Sequence, residues 1–208
     1  MKYLKIVLLT ISMFSITSCY DFINPVFTPK DAQPLIDSGK YSVKLSKEFT
    51  EMMKNIAKQE GKNDKKDYGA PIMDSEFIKN SNNTYKAKNK THEDNKIDIQ
   101  DGVITTMLFD NFFAYQMKEK KDTKDKSSKV EVHKIYIGQK NKKGFTLFMV
   151  DFQKAGELIQ EYKLKEVKNI KGKKVEMVYD GDKKNVVAFL KAHKNLEKTP
   201  MMIYEKLN

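Results

Sequence analysis

Apolar and polar residues alternate with a period of two along much of this chain, and the period lengthens to that of a helix at a few places. From Gly39, the residues Tyr41, Val43 and Leu45 share one face while Lys40, Ser42 and Lys44 share the other, the pattern of a half-buried strand. Ser46 follows as an N-cap, and Phe49, Met52, Met53 and Ile56 recur at helical spacing in a helix that fades by Gly61. Residues 61–95 are rich in Lys, Asn and Asp and broken by Gly69-Ala70-Pro71. They read mainly as a polar loop with one ordered piece from Ile72 to Ile78. Lys96–Gln100 and Val103–Leu108 alternate on either side of Asp101-Gly102, which predicts a hairpin with a tight turn. Phe112–Met117 predicts another strand, and the apolar-free run Lys118–Lys129 predicts a charged connection.

Val130–Gly138 and Phe145–Val150 form a second predicted hairpin, joined through Gln139 to Gly144. Asp151 is placed to cap a helix over 152–162 with Phe152, Ala155, Leu158 and Ile159 on one side. Val175–Tyr179 is a short strand. Asp180-Gly181-Asp182 opens a helix that buries Val186, Val187, Phe189 and Leu190, and Met201–Tyr204 closes the sheet. The fold class expected is α+β: a curved, largely antiparallel sheet of about six or seven strands with two or three helices.

The first nineteen residues have a different character. Lys2 and Lys5 precede an apolar run, Ile6–Ile16, that is too short to span a bilayer, and the segment ends in Ile16-Thr17-Ser18-Cys19. This end resembles a bacterial lipoprotein signal peptide with its lipobox. Consensus members have Leu three residues before the Cys and Ala or Gly just before it; Ile16 and Ser18 are accepted variants. The resemblance implies cleavage before Cys19, a diacylglycerol on its thiol and, in many bacteria, a third acyl chain on the freed amine. Two or three acyl chains at about 0.8 kcal/mol per buried CH₂ hold a protein stably on a membrane. Tyr20, where inner-membrane members commonly have Asp, favours the outer membrane, with the domain facing the periplasm or the surface. The organisation expected is a signal peptide over 1–18, an acylated Cys and Pro-containing tether over 19–38, with Pro25, Pro29 and Pro34, and one α+β domain over 39–208. The segment from Val130 to Leu196 also loosely resembles small bacterial lipoproteins with lipocalin-like curved sheets.

Composition narrows the chemistry. The 39 basic residues are all Lys, the formal net charge is +11, and there is a single Cys, which excludes an intrachain disulfide framework and a multi-Cys zinc site. All-Lys usage with abundant Asn and Ile fits an AT-rich coding bias. A nucleic-acid site would use Arg forks with interleaved aromatics, so the partners expected are the membrane through Cys19 and anionic envelope components or another envelope protein. His92-Glu93-Asp94 reads as a solvated loop. His133 reads as a solvent-facing strand position beside Glu131. His193 falls in the last turn of a helix, where a cation suits the helix dipole. Asp180-Gly181-Asp182 suits a turn and a cap better than a calcium loop, and Glu157 and Glu161 mark an exposed charged face. G-x-S-x-G, H-E-x-x-H and C-x-x-C do not occur. No catalytic residue, metal ligand or cofactor is therefore expected.

The function expected is a non-enzymatic, lipid-anchored envelope protein acting as an interaction or structural module. The alternative is a carrier for a lipid or other hydrophobic ligand, lined by Phe109, Phe112, Phe113, Phe145 and Phe148. A carrier requires an apolar cavity of several hundred cubic ångströms, roughly the size of known small-molecule sites. An interaction module requires a filled core and an exposed apolar patch.

Overall fold

The computed structural model describes residues 19–59, 70–124, 126–150 and 152–207. The expected signal peptide over 1–18, part of the expected polar loop and Asp151, expected as a cap, lie outside them. Eleven strands and three α-helices follow in the order β1 (Tyr20–Phe22), β2 (Gly39–Leu45), α1 (Lys47–Gln59), β3 (Met73–Lys79), β4 (Tyr85–Thr91), β5 (Ile97–Phe109), β6 (Phe112–Asp122), β7 (Lys129–Asn141), β8 (Gly144–Val150), α2 (Phe152–Glu161), β9 (Lys165–Ile170), β10 (Lys173–Asp180), α3 (Lys183–Ala192) and β11 (Lys198–Lys206). Strands β2 to β8 form a meander. The chain then leaves through α2, β9, β10 and α3, and β11 returns to pair with both β2 and β8. With β6 also paired to β7, eight strands close into an antiparallel barrel. The fold is thus mostly antiparallel β with three helices, and the expected open sheet of six or seven strands is corrected to a closed barrel of eight.

Two expected irregular regions are strands. β3 and β4 pair throughout, from Met73 opposite Thr91 to Lys79 opposite Tyr85, where mainly loop was expected. β4 hides itself because its inward residues run Tyr85, Ala87, Asn89, Thr91, and only the first two are apolar. The charged run 118–129 continues β6 and starts β7, with Lys121 opposite Val130. Cross-strand pairs neutralise it: Lys118 with Glu131 at 2.7 Å and Lys134 with Glu119 at 2.7 Å. The hairpin expected at Asp101-Gly102 is not there. β5 runs straight through, and Gly102, at φ +73°, takes up the extra residue of a bulge between the pairs Tyr85–Val103 and Ala87–Gln100.

Barrel alternation sorts the core into an inner and an outer layer. Inside, Tyr41, Phe77, Tyr85, Phe113, Phe145 and Tyr204 are all nearly inaccessible. Phe145 stacks on Tyr204 at 4.2 Å, and Tyr41 meets Phe77 edge-on at 5.5 Å. An eight-stranded barrel is just wide enough to be filled by such side chains. Gly138 faces Phe113 so closely that a Cβ there would stand 2.6 Å from the ring, which is why β7 has no side chain at this position. Outside, Ile104, Leu108, Ala114, Ile135 and Ile137 are covered by Val186, Phe189 and Leu190 of α3 and Ala155 of α2. Asp182 caps α3 as the sequence suggests, its carboxylate accepting from Asn185 N–H at 3.0 Å. Ser46 does the same for α1 at Phe49.

Beyond the barrel, β7 carries β1 on the edge that β8 leaves uncovered, and β10 and β9 extend this wing around a small core of Val130, Val132, Val175 and Val178. Residues 20–36, expected to be a tether, are corrected to an integral part of the fold. Tyr20, Phe22, Val26, Phe27 and Ile36 are buried. The Gln116 side chain accepts from Val26 and Phe27 N–H at 3.0 and 2.9 Å and donates to Phe27 C=O at 2.8 Å. Ile36 plugs one end of the barrel, where the Tyr85 hydroxyl donates to its carbonyl and accepts from its N–H.

His193 stands at the end of α3 as expected, but it is fully buried, and the cation expected there is corrected to a neutral imidazole. Its Nδ1 lies 2.8 Å from the Phe189 carbonyl, which only accepts, so Nδ1 carries the proton and Nε2 accepts from the Tyr20 hydroxyl at 2.6 Å. Burial, the largest cause, with the Lys198 charge adding to it, pushes the imidazole pKa down to about 4. Between that value and the ordinary His range near 6.5 the unfolded chain binds the extra proton, so stability falls as pH drops. Chemical denaturation at pH 5.0 should give a stability lower than at pH 7.5 by about 2 kcal/mol from this group, and His193→Gln should flatten that part of the profile.

Candidate functional site

Every second residue of a barrel strand points inward, so each strand writes its chemistry as a function of depth. On β6 the inward series rises from Phe113 through Tyr115 and Met117 to Glu119, and on β4 from Tyr85 through Ala87 and Asn89 to Thr91. β11 contributes Tyr204 and then Met202, and β8 contributes Phe145 and then Leu147. Aromatic rings fill the plugged end, thioether and Leu side chains form a band above them, and polar and charged groups form the rim. The fill stops short of the rim. What remains is a cavity of about 840 Å³, open at the end where α1 joins β2 and β3. Tyr115, Tyr136 and Tyr204 lie at its floor, Met73, Met117, Leu147 and Met202 in its walls, and Lys96, Asp98, Lys120 and Lys129 near its opening.

The bulge at Gly102 decides what faces into the opening. An unbroken alternation from Val103 would turn Ile99 and Ile97 inward. The extra residue instead puts Gln100 opposite Ala87 and Asp98 opposite Asn89, leaving both isoleucines half-exposed beside Lys88 and Lys90. Gln100 Nε2 donates to Asp98 at 3.0 Å, and Asn89 Oδ1 accepts from the buried Ser75 hydroxyl at 2.7 Å. One wall of the opening is therefore polar and the opposite wall apolar.

The five phenylalanines expected to line a ligand site are not brought together. Phe113 and Phe145 are inside the barrel, packed beneath the cavity. Phe112 and Phe148 pack with Phe109 on the outer face, with ring centroids 5.6 and 5.1 Å from Phe112, under the Lys198 ammonium. The reason is parity: 112 and 113 are adjacent, and 145 and 148 differ by an odd number, so each pair straddles the wall. The residues that do line the cavity carried a legible signal that was overlooked, namely the alternating pairs Tyr115/Met117 and Met202/Tyr204.

His92, Glu93 and Asp94 form the ordered β4–β5 turn: His92 Nε2 meets Asp74 at 3.0 Å, and Asp94 accepts from the Thr91 hydroxyl and Lys96 N–H. His133 is half-buried on β7, with its pKa lowered chiefly by burial. Among the described residues no group of three or more His, Cys, Asp or Glu side chains is placed to hold a metal ion.

Cys19 lies just before β1, at the seam of the barrel and the wing, and is buried. Around it stand Tyr136, Lys134, Asp21 and Glu119, whose charges act on the thiol. Lys121 pairs with Asp21 at 2.5 Å. Burial, the largest cause, pushes the Cys19 pKa up to about 12 despite the Lys134 ammonium. Comparisons with protein-family models, with curated proteins and with solved structures find no match for this chain. A thiol held this way is almost wholly protonated at neutral pH and hence a poor nucleophile. In protein whose Cys19 is unacylated, iodoacetamide at pH 8 should modify it at least a hundredfold more slowly than after denaturation, as read by intact mass.

Proposed function

We propose that this chain is a non-enzymatic, lipid-anchored envelope protein whose barrel binds a small, largely apolar ligand at its open end. The observation that carries the binding part is the 840 Å³ cavity with its tyrosine floor and thioether walls. Its size falls within the range of about 300–1,000 Å³ typical of small-molecule sites, and barrel openings are among the places where such sites occur. Methionine walls suit an apolar guest of irregular shape, because the unbranched, polarisable side chain adapts its rotamers to fit. The balance between the two expectations thus moves from an interaction module toward a carrier. The half-exposed Ile97 and Ile99 beside the opening favour a partner surface as the second reading.

Anchoring is supported by the residues Ile16-Thr17-Ser18-Cys19 behind a short apolar run. An acylated Cys19 cannot occupy the buried position described above. Strand pairing of β1 begins only at Tyr20, so turning Cys19 outward leaves the ladder intact. The acyl chains then emerge directly at the wing, with the domain held close to the membrane.

Two measurements test this reading. Cys19→Ala should abolish acyl-chain labelling and release the protein from membranes; labelling and association that persist would remove the anchor. N-phenyl-1-naphthylamine, a neutral apolar fluorophore, should bind the purified protein saturably at one per chain. Met117→Trp, which adds bulk at a partly exposed position of the cavity wall, should weaken that binding roughly tenfold while the melting temperature stays close to that of the unsubstituted protein.

A further inference from the structure

The cavity floor holds two donors with nothing to donate to. Tyr115 and Tyr204 are buried, at 3% and 5% exposure, and both line the cavity, yet neither hydroxyl has a hydrogen-bond partner among the described residues. The rings are buried while the hydroxyls open onto the cavity, so the acceptor that each lacks within the fold is one that the cavity can supply. Two such groups together at the base of an open cavity mark the place where a guest supplies the acceptor. They are fixed there by packing: the Tyr204 ring stacks on Phe145 at 4.2 Å, and the Tyr115 ring lies parallel to Phe145 at 6.4 Å and edge-on to Tyr136 at 6.2 Å.

Charge decides what kind of acceptor fits. The ammonium groups lining the cavity, on Lys96, Lys118, Lys120 and Lys129, come from strand ends at the rim, and Lys118 is already paired with Glu131 at 2.7 Å. No cation lines the floor, and the Asp98 carboxylate lies near enough to Tyr115 to disfavour a second negative charge. A cationic head would give up its water for two phenol oxygens, while the Asp98 and Glu119 carboxylates of the lining are engaged by Gln100 and Lys134. Burial holds both phenols protonated far above neutral pH, so they remain neutral donors. Resting on the binding function proposed above, we infer that the guest enters polar end first and is uncharged at that end: an ester, amide, ketone or alcohol oxygen accepts from Tyr115 and Tyr204, while an apolar body packs against Met73, Met117, Leu147 and Met202.

The test is displacement of N-phenyl-1-naphthylamine by four compounds with the same ten-carbon chain and different heads: methyl decanoate, 1-decanol, decanoate and decylammonium. The ester and the alcohol should compete roughly tenfold better than either ion. Tyr115→Phe and Tyr204→Phe should each weaken the ester by about three- to tenfold relative to the fluorophore's affinity measured in the same variant. Stronger competition by decanoate or by decylammonium would overturn the inference, as would an ester affinity indifferent to both substitutions; in these cases the fluorophore still binds and the binding function stands. A protein that binds neither the fluorophore nor any of the four would overturn both.

Discussion

The whole molecule depends on one closure. β11, the last strand, is inserted between β2 and β8 and pairs with both, so the meander that begins at Gly39 ends without a free edge on that side. An eight-strand circumference sets an interior about one layer of side chains across. Eight tyrosines and phenylalanines occupy it from Tyr41 to Tyr204, and their rings meet edge-on or stacked. At the plugged end the rings fill the bore beneath Ile36, and a smaller pocket of about 270 Å³ lies beside that residue. At the other end the inward positions pass to residues such as Asn89, Asp98 and Thr91, which cannot be packed dry, and the space remains open.

β7 is the second structural hinge of the argument, because it belongs to two assemblies at once. Over its full length it pairs with β6, while its other edge is shared between β8 and β1. The barrel therefore continues into a wing whose charged faces are held by cross-strand ion pairs rather than by apolar burial alone. The exposed Lys118–Glu131 pair contributes little stability, whereas Lys121–Asp21 and Lys134–Glu119 are largely covered and hold the junction together with the small valine core and backbone pairing. The N-terminal segment is drawn into this junction by Gln116 and by the Tyr20–His193 hydrogen bond. An anchor at Cys19 is consequently coupled mechanically to the barrel and not separated from it by a free linker.

The chemistry of the open end follows from a single irregularity. By adding one residue to β5, the bulge at Gly102 exchanges two isoleucines for an aspartate and a glutamine on the inner face. This makes the opening two-sided, polar along β4 and β5 and apolar along β3, β8 and β11. The two-sidedness, with the Tyr115 and Tyr204 phenols beneath it, is the geometry on which the proposed binding of an amphipathic guest rests.

Local pattern determined a good deal of this. The strands at 39–45, 130–138 and 145–150, the helix after Ser46 and the Asp182 cap were all legible, because alternation, helical spacing and capping act over a few neighbouring residues. The absence of familiar catalytic or metal-binding motifs was equally plain to read, and the proposal of a signal peptide ending at Cys19 rests on local sequence alone. Only the tertiary structure decided the rest. β4 and the charged ends of β6 and β7 are strands because their partners supply hydrogen bonds and opposite charges, which no window of one strand contains. Asp101-Gly102 has the composition of a hairpin turn, and its becoming a bulge depended on β4 running past it. Tyr20–Phe22, too short to predict, is a strand because β7 had an edge left over. The five phenylalanines appeared to be one stripe because composition ignores which side of the wall each faces. Closure of the barrel fixed those sides, and with them the site.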